Sequence, residues 1–318
     1  MPRFKIHHLT KYTYISPVRD SANQILLFPI NDDYQEVIKH ELHISGEPNV
    51  DIYKDYYGNE IGSFMNSEPH EELVIDLRTE VVTKSRPQPT DEKPAETLWL
   101  ELKKIRTQFP YIDFLKQERF NSLSDLTSVV DSLNCKEVTP LEAAKKLTEY
   151  VFTNFEYIKG ITSVETTLDE VWKLKAGVCQ DFAHVLLEML KIIDTPARYV
   201  SGYVCPNKTG MRGEGATHAW VEAYIPFYGW LGLDPTNNRV VDDLHVRLAV
   251  GRSFNDCSPV KGTYKGNSSH TLEVGVSVSY EDGRTSEEAP AVLTPQPKIA
   301  GVPENSYRKY MEMMQQQQ

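Results

Sequence analysis

The stretch from residue 177 to residue 234 constrains this 318-residue chain more than any other. It contains three short blocks, GVCQDFAH at 177–184, THAWVE at 217–222 and GLDPT at 232–236. Each block carries one chemically capable residue, namely Cys179, His218 and Asp234. The segments between them are long enough for a helix and two or three strands, so a fold could bring the three side chains together.

The pattern around Cys179 predicts that it lies at the first residue of a buried helix. A capping box at 167–170 opens a short preceding helix, and Gly177 ends that helix and turns the chain. Apolar residues then recur at helical spacing from Phe182 to Ile193, and Pro196 stops the run. The free N–H groups and positive dipole at such a helix start favour a thiolate. The same N–H groups could stabilise the oxyanion of a tetrahedral intermediate.

The histidine and the aspartate fall on predicted strands. Residues 197–204, 216–225 and 229–234 each have strand character, and a Pro226/Gly229 turn joins the last two. If these two pair as a hairpin, His218 and Asp234 lie at the same end of it. A carboxylate-held histidine facing a thiol is the arrangement used in nucleophilic cysteine catalysis.

The three blocks resemble the transglutaminase-like superfamily, and in particular the bacterial transglutaminase-like proteins described as cysteine proteases. That resemblance implies a papain-like catalytic fold with Cys179 as nucleophile, His218 as base and Asp234 as orienting acid. The segments at 8–14, 17–18 and 55–59 are similar to the N-terminal region of the bacterial family. Resemblance covers about residues 1–280, with departures where Ser253 replaces an expected acidic residue and Cys257 an expected aliphatic one.

The element pattern indicates an α+β chain with two main regions. Strands are predicted at 3–14, 21–29, 37–45, 50–57 and 73–82, a Pro-rich linker at 85–94, and helices at 95–109, 123–133 and from Thr139 onward. Further strands are predicted at 246–250 and 272–280. We therefore expect an N-terminal β-sandwich (1–85), a transglutaminase-like catalytic domain with C-terminal strands (95–282), and a Pro/Gln-rich tail (283–318).

Composition narrows the possible partners and compartment. A net charge of −11 and a pI of about 5.4 argue against nucleic acid and anionic membrane as partners. No apolar run is long enough to span a bilayer, and the start lacks a signal peptide, which predicts a cytoplasmic protein. The four cysteines lie far apart, and no metal-binding motif or calcium loop occurs, so neither a metal nor another cofactor is expected.

Several residues near the three blocks are weaker candidates. Gln180 and Tyr157 are candidates for shaping the oxyanion site. Asp181 could bind substrate or only complement the helix dipole. Glu222 could orient neighbours or bind substrate, and Trp220 is expected to form a wall of the core or cleft. The other histidines considered, His184, His245 and His270, are predicted to be packed structural residues.

Two classes of function remain open from the sequence. The first is an acyl-transfer enzyme that forms a thioester on Cys179 from a peptide or glutamine-type amide. Water as acceptor makes it a peptidase or amidase, and a lysine amine makes it a protein cross-linking γ-glutamyltransferase. Hydrolysis is favoured because transfer requires a second site that excludes water. The alternative is a non-catalytic papain-like module that binds peptides. The oligomeric state is not predicted.

Overall fold

A computed structural model of the chain describes residues 1–205, 211–213 and 217–281. The expected tail at 283–318 lies outside the described residues. The helices are α1 (Ala95–Ile105), α2 (Leu123–Ser132), α3 (Pro140–Asn154), α4 (Leu168–Leu174), α5 (Cys179–Ile192) and α6 (Phe254–Cys257). The strands are β1 (Arg3–Ile25), β2 (Gln35–Ile44), β3 (Val50–Lys54), β4 (Glu60–Asn66), β5 (His70–Thr83), β6 (Glu156–Tyr157), β7 (Ala176–Gly177), β8 (Ala197–Val204), β9 (Thr217–Ile225), β10 (Gly229–Asp234), β11 (Arg239–Val240), β12 (His245–Gly251), β13 (Val260–Lys265) and β14 (His270–Tyr280).

A long first strand organises the N-terminal region into a curled seven-stranded sheet. The first half of β1 pairs with β5 and β14, and its last residues pair with β4 and β13. Between these halves the pairing is interrupted, and Asp20 adopts a φ of +47°. The strand can therefore serve two parts of the sheet that curl around one apolar core containing Phe4, Ile25 and Leu77.

The second region places helices against an antiparallel sheet. Five strands run in the order β11-β10-β9-β8-β12. Helices α3 and α5 pack on one face of this sheet, where Ala219, Val221 and Ala223 of β9 join the helix-side core. The other face meets the N-terminal sheet, whose core includes Tyr203 and Val246. The predicted α+β fold is confirmed.

Two side-chain amides complete the outer edge of β12, the edge strand nearest the N-terminal region. Asn59 donates to the carbonyl of Val250 and accepts from its N–H, both at 2.8 Å. Gln35 does the same at Arg247, at 2.9 and 2.8 Å. Backbone groups at a buried edge are costly when unpaired, so these amides stabilise the strand and fix the N-terminal sheet against it.

The C-terminal strands differ from the sequence expectation that grouped them with the catalytic domain. Strand β14 pairs with β1 from Phe4↔Tyr280 to Tyr14↔His270, and β13 pairs with the end of β1. Alternation in 272–280 identifies a strand but not its partner, because pairing depends on residues more than 250 positions away in the chain. Strand β4 was also not predicted, and the expected strands at 3–14 and 21–29 are one continuous β1.

Candidate active site

Cys179 is the first residue of α5, as the local pattern predicts. The short parallel strand pair β6–β7 positions the chain just before Cys179, with Ile158 N–H donating to the Gly177 carbonyl at 2.9 Å. Cys179 is half-buried, whereas Cys135, Cys205 and Cys257 are buried, and none of the four forms a disulfide. The thiol is thus the accessible one of the set, at a helix N-terminus whose first N–H groups have no intrahelical acceptor.

His218 and Asp234 come together because β9 and β10 form the predicted hairpin. His218 Nε2 lies 2.9 Å from Asp234 Oδ2, and both side chains are completely buried. Nδ1 makes no hydrogen bond of ordinary geometry with a described residue. The Cys179 side chain is near enough to act on the His218 ring electrostatically and as a hydrogen-bonding group. The three residues of the separate blocks are therefore assembled in the order thiol, imidazole, carboxylate.

Burial and charge act in opposite directions on this pair. Burial lowers the pKa of His218, but Asp234 and then Cys179 outweigh it and raise that pKa to about 10. Burial alone would raise the pKa of Asp234, yet His218, with His245 contributing, holds it well below its usual range. The site therefore favours an imidazolium paired with a carboxylate at neutral pH.

Asp234 is held by more donors than the sequence indicated. Its Oδ1 accepts from the N–H groups of Thr236 at 2.9 Å and Asn237 at 3.3 Å. Its Oδ2 also accepts from Asn237 Nδ2 at 2.7 Å and from His245 Nε2 at 3.4 Å. Asn237 was missed, although its position three residues after Asp234 fits the hydrogen bonds of an Asx-type turn. No local motif marked His245.

Tyr157 lies beside the cysteine, where the sequence predicted an oxyanion candidate. Strand β6 aligns it with Gly177, and its pKa is raised mainly by burial, with Cys179 adding to the shift and Arg212 opposing it. The phenol is therefore a neutral hydrogen-bond donor at pH 7. Gln180, the second residue of α5, is half-buried.

Asp181 caps the cysteine helix. Its buried Oδ2 accepts from the Val178 N–H at 2.8 Å and the Thr162 hydroxyl at 2.6 Å. Burial raises the pKa of this carboxyl, while the two donors oppose the shift. The structure thus places Asp181 at the start of α5, where it also fixes the loop that contains Thr162.

Trp220 and Glu222 follow His218 on the same face of β9 but lie deeper in the molecule. Trp220 is fully buried, with its ring centroid 5.3 Å from that of His245. Glu222 is 1% exposed and accepts from Arg198 at 2.7 Å and from Arg247 at 3.1 Å. Arg247 also pairs with Asp32 of the N-terminal region. Glu222 is therefore placed in an ion-pair network between the two regions.

His184, in contrast to His245, has its hydrogen-bond partner outside the His218–Asp234 pair. His184 Nε2 accepts from the Phe254 N–H at 3.1 Å, and burial, with a contribution from Lys191, lowers its pKa to about 4. Within the described residues there is no group of three or more His, Cys, Asp or Glu side chains that could hold a metal ion. Likewise, none of the described helices is long and apolar enough to cross a membrane.

Comparison with known proteins finds a family match for each of the two regions. The model of the transglutaminase-like superfamily matches residues 127–235, and that of the bacterial transglutaminase-like N-terminal region matches residues 4–82. An uncharacterized protein of Mycobacterium leprae is 30% identical over 283 residues, 88% of this chain and 99% of that protein. An uncharacterized protein of Mycobacterium tuberculosis is 31% identical over 298 residues, 87% of this chain and 92% of that protein.

A solved structure from Cytophaga hutchinsonii, described as a "putative cysteine protease", shares the fold. It has a TM-score of 0.69 and 22% identity, over 90% of this chain and 92% of that one. Both resemblances that the sequence motifs indicated are confirmed, including the one at the N-terminus. The chain belongs to the transglutaminase-like superfamily.

Proposed function

We propose that this protein is a cysteine-nucleophile acyl-transfer enzyme that hydrolyses peptide or glutamine-type amide bonds. The observation that carries the proposal is the buried His218, with Asp234 on one ring nitrogen and the Cys179 side chain acting on the same ring. A structural histidine in a core gains from having both nitrogens paired. Here Nδ1 makes no such bond with a described residue and is available to exchange a proton with the thiol.

The reaction uses each group in turn. At rest the proton of the Cys179 thiol is held by His218 as an imidazolium, and the thiolate attacks the amide carbonyl to give a tetrahedral oxyanion. His218 then gives the proton to the leaving amine as the C–N bond breaks, which leaves a thioester on Cys179. Water, deprotonated by the neutral His218, attacks the thioester, and the carboxylic acid leaves as the thiolate–imidazolium pair is regenerated. Asp234 fixes the orientation of the imidazole and stabilises its charged form throughout.

Two features support stabilisation of the oxyanion. The first N–H groups of α5 lack intrahelical acceptors and lie at the positive end of the helix dipole. Tyr157 adds a phenol that stays protonated at neutral pH and interacts with Cys179. Preorganised donors of this kind are worth about 10²–10³ in rate per group in other acyl-transfer enzymes.

The first test is site-mapped alkylation with sub-stoichiometric iodoacetamide across pH 5–9. Mass spectrometry reads all four cysteines, so the buried Cys135, Cys205 and Cys257 serve as internal controls. We expect Cys179 alone to react well below the ordinary thiol pKa of about 8.5. We expect His218→Ala to abolish the low-pH reaction and His184→Gln, which replaces a half-buried histidine in the second turn of α5, to retain it. Equal reactivity of Cys179 and the other thiols would overturn the proposal.

A second test separates hydrolysis from cross-linking. The protein is incubated with a glutamine-containing peptide library, with and without a fluorescent primary amine. Cleaved or deamidated peptides with no amine incorporation support hydrolysis. Incorporation of the amine at glutamine would instead assign the protein as a γ-glutamyltransferase. Peptide binding without turnover, unchanged in Cys179→Ala, would assign a non-catalytic peptide-binding module.

A further inference from the structure

His245 lies directly behind the His218–Asp234 pair. It opens β12 and is 4% exposed. Its Nε2 is 3.4 Å from Asp234 Oδ2, the same oxygen that lies 2.9 Å from His218 Nε2. Asn237 Nδ2 also donates to this oxygen, at 2.7 Å. The distance from His245 exceeds that of a typical N–H···O bond, so His245 is the weakest of three donors that share one oxygen.

The other side of the His245 ring determines its tautomer. Nδ1 lies 3.4 Å from the Asp242 N–H and 3.1 Å from Asp242 Oδ1. A neutral ring accepts from the backbone N–H at Nδ1 and carries its proton on Nε2. A charged ring donates from Nδ1 to the Asp242 carboxylate and still carries a proton on Nε2. In both states Nε2–H points to Asp234, so the arrangement supplies a donor that does not depend on the charge of His245.

The surroundings fix His245 in place. Its ring stands edge-on to Trp220 at 5.3 Å and lies 6.4 Å from the His218 ring. Asp242 is itself paired with Arg239. A cavity of about 20 Å³, room for one water, lies beside His245 where the two regions meet. The charged groups around that cavity include Lys84, Arg86, Glu222, Asp242 and Arg247.

We propose that His245 is a positioning residue that shares Oδ2 of Asp234 with His218 and thereby limits how tightly this oxygen holds the His218 imidazolium. The proposal rests on the proposed function, because a general acid must release its proton to the leaving amine. With His245 removed, Oδ2 would keep only Asn237 as a donor besides His218 and would hold that proton more firmly. Asp234 keeps its orientation through Thr236 and Asn237, so removal of His245 changes the charge on Oδ2 more than the position of the carboxylate.

The test is ¹⁵N-histidine NMR of the full chain, with His245→Leu and His245→Phe as donor-free variants and His245→Gln as the matched control that retains an N–H. We expect the pKa of His218 to rise by about half a unit to one unit without the donor and to be unchanged in His245→Gln. An unchanged or lowered pKa of His218 in a folded donor-free variant would overturn the proposal.

The wild-type spectrum tests the same proposal even if neither donor-free variant folds. In its neutral and in its charged form, His245 must carry a proton on Nε2, and an Nδ1–H tautomer would contradict the proposal. Both NMR results are independent of reactivity. If Cys179 alkylation does not depend on His218 while the NMR results hold, the proposed function fails and the hydrogen-bond arrangement stands. If alkylation does depend on His218 and the NMR results fail, only the role of His245 is lost.

Discussion

His218 and Glu222 lie on the same face of β9, on either side of Trp220. Each of the two has charged partners inside the molecule. Both oxygens of Glu222 are used, one by Arg198 and the other by Arg247. His218 uses Nε2 for Asp234, while Nδ1 has no ordinary hydrogen bond with a described residue and lies in reach of a half-buried thiol. A buried polar cluster in which every group is paired is typical of a structural role. A cluster that leaves one group without an ordinary hydrogen bond beside a nucleophile is typical of a catalytic site.

The comparison of His218 with Glu222 predicts that a change at Asp234 has the largest effect on activity. Replacing it with Asn keeps the shape but gives the imidazole a neutral partner, so we expect turnover of an activated ester to fall by about 10³–10⁴-fold. The matched control is Asp76→Asn, which alters a His–Asp pair that His7 forms on the surface at 3.0 Å. That control should leave turnover unchanged. Similar losses in both variants would show that the effect is not specific to the buried pair.

The second prediction concerns Glu222. Glu222→Gln leaves Arg198 without its carboxylate and Arg247 with only Asp32, and we expect a loss of about 3 kcal/mol in the free energy of unfolding. Glu80→Gln, which breaks a partly exposed pair with Arg3, should leave the free energy of unfolding nearly unchanged. Urea unfolding measures both. If the Glu222→Gln protein kept its stability but lost the reactivity of Cys179, the assignment of Glu222 to stability and of His218 to catalysis would be wrong.

The contrast between local and distant contacts also explains what could be predicted from the sequence. The start of α5 at Cys179 and the hairpin that joins His218 to Asp234 depend on residues close in the chain, so pattern and turn chemistry predict them. The partners of Glu222 come from β8, β12 and the loop at Asp32, and no local pattern specifies them. His245 and the pairing of β14 with β1 were missed for the same reason.

The third prediction tests the space around Nδ1 of His218. Gly213 has a φ of +82°, and a Cβ there would lie 2.6 Å from His218 Nδ1. Gly58 has a φ of +84° with nothing within 4 Å of the same Cβ, so it is a matched control. We expect both Ala variants to lose about 1 kcal/mol of stability from backbone strain. Only Gly213→Ala should slow Cys179 alkylation, by about 10- to 100-fold. Equal alkylation rates in the two variants would mean that Gly213 does not border the reacting pair.

The smallest expected effect is the pH dependence of stability. The pKa of His218 is raised from its ordinary value of about 6.5 to about 10 in the folded protein, so its contribution is fully present below pH 6.5 and is lost as pH rises toward 10. Asp234 has the opposite sign, since its depressed pKa gives a contribution that is present above about pH 4 and lost in acid. In Cys179→Ala protein, where no thiol at this position offsets the titration of His218, we therefore expect the free energy of unfolding to fall between pH 6.5 and 9, by up to about 1 kcal/mol per pH unit.

Comparison of His218→Gln with Glu222→Gln, both made in the Cys179→Ala protein, assigns that slope. His218→Gln removes the titrating group, so its unfolding free energy should lose the extra decline between pH 6.5 and 9. The Glu222 network consists of carboxylates and arginines, and even the pKa of Arg247, which burial lowers to about 10, lies above this window. Glu222→Gln should therefore lower stability by nearly the same amount at every pH in it. If the unfolding free energy of His218→Gln still declined with pH in this range, the decline would not come from a proton that His218 holds in the folded state. A loss of stability that is constant with pH in Glu222→Gln, together with one that varies with pH in His218→Gln, would show that the two charged clusters on β9 differ. Only the cluster of His218 would then hold a proton that it can exchange near neutral pH.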